Sequence, residues 1–135
     1  MRERLPVLLA ALWWGSLGTI GFVAVPLLFM HLPSPALAGN TAARLFEAQA
    51  IISIACGLGL LVLSKDKHAE TQTAWGRSAT VFILGGMLLA LLVQFGVAPR
   101  IVARQNLRLW HGLGSVMYAL QWLCALAVLW RTARR

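Results

Sequence analysis

Four apolar blocks, each of about twenty residues or more, constrain this chain more than anything else in it, because a helix of that length crosses roughly 30 Å of hydrocarbon. They run from Leu5 to Met30, from Ala42 to Leu63, from Ala79 to Pro99 and from Leu109 to Trp130. Inside a bilayer no water is at hand to satisfy backbone N–H and C=O groups, so a segment this long must satisfy its own as a helix. With 59% hydrophobic and 12% charged residues and a mean hydropathy of +0.75, the chain cannot cover a water-facing exterior; a soluble domain carries about a quarter charged residues. The sequence therefore predicts an all-α integral membrane protein: one antiparallel four-helix transmembrane bundle over residues 1–135.

The breaks between blocks fit this plan. Ala36-Leu37-Ala38 resembles a signal cleavage site, but the first block is longer than the ~7–15 apolar residues of a secretory signal, so it is read as a span. His31-Leu32-Pro33-Ser34-Pro35 reads as a connector, since proline lacks a donor and crowds the preceding turn, and Asn40 or Thr41 is the expected N-cap of the second helix. Ser64-Lys65-Asp66-Lys67-His68 forms the next loop, Trp75-Gly76-Arg77 an interface, and Arg100 to Arg108 a basic connector. Trp13, Trp14, Trp75, Trp110 and Trp130 are assigned to the interfacial belts.

The formal net charge is +8, and its basic residues gather at block ends. That placement points to membrane orientation and anionic headgroups, not nucleic acid. With the N-terminus inside, Arg2, Arg4, Lys65, Lys67, Arg77, Arg131, Arg134 and Arg135 are cytoplasmic, whereas Arg44, Arg100, Arg104 and Arg108 lie outside. The bias places both termini in the cytoplasm. Cys56 and Cys124 sit inside apolar blocks and read as small hydrophobes.

An internal repeat is visible. Phe22-Val23-Ala24-Val25-Pro26 matches Phe95-Gly96-Val97-Ala98-Pro99, and Arg44-Leu45-Phe46-Glu47 matches Arg108-Leu109-Trp110-His111. Each unit holds two spans, so the copies would run parallel about an axis along the membrane normal.

Residues able to carry chemistry are few. Glu47 is either a headgroup-level glutamate paired with Arg44 or a ligand site at the outer mouth. His111, at the matching repeat position, is either satisfied by backbone and water or forms a pH-sensitive latch with Glu47. Gln49, Ser53 and Cys56 share a stripe of the second helix; His111, Ser115, Tyr118 and Gln121 recur along the fourth; Gln94 lies in the third, and Ser16 and Thr19 in the first. Such groups turn toward other helices, as interhelical hydrogen bonds or as a polar cleft. The expected site combines Glu47, His111, Gln49, Gln94, Arg44, Arg100 and Arg108, whose guanidinium forks suit an anionic headgroup or carboxylate. Gly15, Gly18 and Gly21, with Gly57, Gly59, Gly85 and Gly86, thin their helices for close packing. His31, His111 and Met30 are admissible haem or copper ligands, but no HxxxH, CxxC or Met-rich pattern accompanies them. No cofactor and no metal site is expected, and no nucleotide loop or serine triad marks an enzyme.

Trp14-Gly15 through Pro26-Leu27-Leu28-Phe29, Leu32-Pro33, Ala38-Gly39, Leu45-Phe46, Pro99-Arg100 and Leu109-Trp110-His111-Gly112-Leu113 together resemble a bacterial inner-membrane family of unknown function. That family is related to the eukaryotic transmembrane protein two-hundred-and-five. Its clearest marks here are Pro26 to Phe29 and the His111-Gly112 pair. Where the eukaryotic relatives carry asparagine in the fourth span, this chain has Met117-Tyr118. The resemblance implies four helices in the inner membrane and supplies no reaction. The leading reading is a non-enzymatic membrane protein that binds a small ligand or lipid, or assists its passage. A structural subunit or assembly factor, with a membrane-protein partner or a second copy, is the alternative; a haem or copper redox protein comes third.

Overall fold

A computed structural model describes the backbone of residues 2–65 and 74–134. Asp66-Lys67-His68, and the side chains of Lys65 and Trp75-Gly76-Arg77, lie outside the described residues. After a short 3-10 turn over Arg2–Arg4 come four long helices: α1 (Leu5–His31), α2 (Pro35–Lys65), α3 (residues 74–102) and α4 (Leu107–Ala133). No strand occurs among the described residues. Each helix packs on its chain neighbours, and α1 closes the ring against α4.

The solvent these helices are built for is written in their outer faces. Ile51, Val81 and Val116 are 68%, 66% and 58% exposed, as apolar as the core residues Ala10, Leu17, Leu60, Ile83 and Val128. A helix that is apolar all round is stable only when oil covers its outside. Among the described residues four helices are long and apolar enough to cross a bilayer, which makes this a multi-pass membrane protein.

Two of the four spans widen at the repeat. Thr19–Ala24 of α1 and Val93–Val97 of α3 are π-helical, and the residue after each bonds five back: Val25 N–H to Ile20 O, Ala98 N–H to Val93 O. Each segment ends two residues before a proline, Pro26 or Pro99. A proline ring collides with the carbonyl four residues earlier, and a π-turn gives the backbone room. The two copies of the repeated motif thus share one backbone solution.

Boundaries differ from the sequence reading in three places. α2 starts at Pro35, before Asn40 and Thr41: Ser34 is its N-cap, with Leu37 N–H donating to Ser34 Oγ at 3.1 Å, and Pro35 occupies the first turn, where a missing N–H is harmless. Thr41 lies inside the helix and donates to Leu37 O at 2.9 Å. The α3–α4 connector is only residues 103–106; Arg100 belongs to α3 and Arg108 to α4. It closes α3 as a Schellman turn, Gln105 N–H to Arg100 O and Arg104 N–H to Ile101 O, both 3.0 Å, with Arg104 at φ 55 where glycine is usual. Asn106, at φ 31, then opens α4.

Trp13 is no belt residue. It is fully buried in the core, its ring reaching α3 where Gly86 has no side chain; a Cβ there would sit 2.6 Å from Trp13 Cη2. Trp14 is partly buried against the same core and packs on Trp122, ring centroids 5.7 Å apart. Trp110 and Trp130 lie near helix ends. Gly21 is open for a similar reason, since a Cβ would strike the ring of Tyr118, and Gly18 faces Trp122.

Candidate functional site

The polar stripes of α1, α2 and α4 meet inside the bundle. Ser16, Gln49, Ser53 and Gln121 each lie within one turn of the midpoint of their helix. Ser53 is fully buried, and Gln49 and Gln121 are 2% and 3% exposed, so these groups depend on one another. Gln49 Nε2 donates to Ser16 Oγ at 3.1 Å and to Ser53 Oγ at 3.2 Å. Gln121 Nε2 donates to the same Ser53 Oγ at 2.8 Å, and Ser16 Oγ donates to Trp13 O at 3.0 Å. Gln49 Oε1 and the indole nitrogens of Trp13 and Trp14 are buried with no hydrogen-bond partner.

Next to this cluster, Tyr118 crosses from α4 to α1. Its hydroxyl donates to Leu17 O at 2.6 Å, a carbonyl in the turn that enters the π-helical segment. The ring packs edge-on to Phe22 and Phe46, with centroids 6.2 and 5.3 Å away. Glycine and tyrosine therefore act together beside the widened turn: Gly21 leaves the space that the Tyr118 ring fills, and the hydroxyl ties α4 to a main-chain carbonyl of α1.

Of the expected site residues, only Gln49 joins this centre. Arg44 and Glu47 form an ion pair, Nη1 to Oε2 at 3.1 Å, on the outer face of α2, with side chains 84% and 50% exposed. Arg100 is exposed near the end of α3, where Nη1 donates to Gly96 O at 2.6 Å and the guanidinium lies 4.6 Å from the centroid of Trp110. Arg108 and His111 are exposed in the first turns of α4, and Gln94 is half-buried within the α3 π-helical segment.

Glu47 and His111 are not hydrogen-bonded to each other. Contacts between Phe46 and Tyr118, and between Ser53 and Gln121, set the register of the parallel helices α2 and α4. In that register Glu47 is level with the middle of α4, and His111 lies a turn or more nearer its start. The mismatch comes from α2 beginning at Pro35, which carries Glu47 three turns into the helix. For the same reason Arg44 and Arg108 are not level.

Ser16, Ser53, Gln121 and Tyr118 stand in the polar stripes but outside the expected site. The stripes were readable from spacing; their convergence depends on how each helix is rotated, which spacing does not fix. Tyr118 bonds a main-chain carbonyl, and only Gly21, which its ring faces, hints at that. Among the described residues no three His, Cys, Asp or Glu side chains converge as a metal site would require. Cys56 is buried and Cys124 half-buried, both as free thiols.

No curated protein and no solved structure matches the chain. The family described as a domain of unknown function, DUF4149, matches residues 8–109, which take in α1, α2, α3 and the start of α4 and leave Tyr118 and Gln121 beyond the match. The chain therefore belongs to the DUF4149 family.

Proposed function

We propose that this protein is a non-enzymatic component of a bacterial inner membrane that binds an anionic lipid or similar small amphiphile at the end of the bundle where α3 turns into α4. The observation that carries the reading is the state of Arg100. Its guanidinium is held by Gly96 O and by the face of Trp110, yet the residue stays exposed at the end of α3. One of its five N–H donors is used by Gly96, and a planar fork already fixed in direction loses little freedom on meeting a phosphate or carboxylate. Arg104 and Arg108, exposed within the next turns, add charge of the same sign. His111 lies one turn beyond Arg108 and supplies a further donor.

Arg44 and Glu47 fall outside this reduced site because they neutralise each other. The basic bias of the sequence supports cytoplasmic termini, which sets the α3–α4 turn on the opposite side of the membrane. A structural subunit docking through a glycine-lined face of α1 draws less support, since Gly18 and Gly21 face Trp122 and Tyr118 of the same chain.

Native mass spectrometry from mild detergent tests the reading. Wild type should retain anionic phospholipid, and Arg100→Gln/Arg108→Gln should retain at least ~10-fold less, the equivalent of about 1.4 kcal/mol. Equal retention of anionic lipid by the two proteins would sink the proposal.

A further inference from the structure

The Arg44–Glu47 pair is in the wrong place for a protein solvated by lipid alone. The two residues lie on the outer face of α2, and Phe46, between them, touches Tyr118 near the middle of α4. Glu47 is therefore well below the level of Arg108, within the apolar thickness defined by α4. Ionisable groups at such depth normally face the interior of a bundle or another protein, because hydrocarbon solvates them poorly. Beyond the pair, toward the C-terminus of α2, that face is apolar. After Arg44 come Ala48, Ile51, Ala55, Leu58 and Val62, all exposed, at alternating steps of four and three residues. This is the spacing of a seam between two parallel helices, with small alanines that let the backbones come close.

We propose that α2 is the interface of a homodimer, in which Arg44 of each copy pairs with Glu47 of the other across a two-fold axis along the membrane normal. A second copy is the occupant that charge complementarity selects. Copies inserted in one membrane share an orientation, so their α2 helices run parallel, and a two-fold interface sets each patch against itself. Under that operation Arg44, in line with the seam, meets its own copy at the same height, while Glu47, about 60° to one side and one turn deeper, comes within reach of Arg44 of the other copy, so the two cations and two anions alternate; a patch of one sign would repel. The intrahelical pair opens only to exchange partners, and the four charges close into a network shielded from lipid. The inference is independent of the headgroup site at Arg100.

Charge reversal tests it, with mass measured by native mass spectrometry from mild detergent and helicity by circular dichroism. Wild type should be a dimer. Arg44→Glu alone and Glu47→Arg alone set like charges across the axis, and each should be monomeric with unchanged helicity. Mixed together, these two variants should form a heterodimer, since each then meets only opposite charges, and the double reversal on one chain should restore the homodimer. If a single reversal fails to fold, Ala55→Leu enlarges the same seam without touching the charges and should also give monomers. A monomeric wild type, a dimer that survives both Arg44→Glu and Ala55→Leu, or single variants that fold but fail to pair when mixed would each overturn the proposal.

Discussion

Replacing Ser53 with alanine should cost far more than the loss of one small hydroxyl suggests. Ser53 Oγ accepts from Gln49 Nε2 at 3.2 Å and from Gln121 Nε2 at 2.8 Å, and it is fully buried. In Ser53→Ala the Gln121 amide loses the hydrogen bond it makes there, while the Gln49 amide keeps only Ser16. A buried donor left unpaired costs about 1–3 kcal/mol. Interhelical hydrogen bonds in membranes average about 0.6 kcal/mol, because the unfolded chain in lipid finds other partners. Two affected donors, one fully and one partly orphaned, place the expected loss at about 1–3 kcal/mol. Reversible unfolding in mixed micelles of rising denaturing-detergent fraction measures it. The companion variant Ser53→Ala/Gln121→Leu removes acceptor and donor together and should recover part of the loss. If Ser53→Ala lies within about 0.3 kcal/mol of wild type, the cluster is not a mutually dependent network and the reasoning fails.

Other expectations follow from single contacts. Gly86→Ala sets a Cβ 2.6 Å from Trp13 Cη2 and should destabilise by about 1–3 kcal/mol in the same assay, with Trp13→Phe relieving part of that cost. Tyr118→Phe removes the 2.6 Å hydrogen bond to Leu17 O and should lose about 0.5–1.5 kcal/mol while helicity is retained. Arg104→Gly relaxes a residue held at φ 55 and should stabilise the fold by about 1 kcal/mol, raising its thermal midpoint.

The long apolar blocks made the architecture legible, because length and hydropathy alone decide that a segment spans. The prolines of the His31 to Pro35 connector were legible as a disruption, but not every proline ends a helix. Pro35 starts a helix under the Ser34 cap, whereas Pro26 and Pro99 are carried through by π-helical turns. Missing that start displaced Glu47 by about two turns and made its pairing with His111 look natural. Trp13 was misplaced because a belt position and a core position read alike when every neighbour is apolar; only the facing Gly86 tells them apart, and it lies on a different helix. Gln49 and Ser53 were legible as a stripe, whereas Gln121 as their partner required the rotation of α4, set by the packing of Tyr118 and Trp122 on α1.

Spin labels placed singly along α4 in lipid nanodiscs test the central claim, that these helices stand in a bilayer with an apolar outer face and a polar knot inside. Labels at Val116, Leu120 and Leu123 should collide often with oxygen and rarely with a water-soluble nickel chelate, whereas labels at Ala125 and Val128 should be shielded from both. Free access of the chelate to Leu120 and Leu123 would place that face in water and contradict the account.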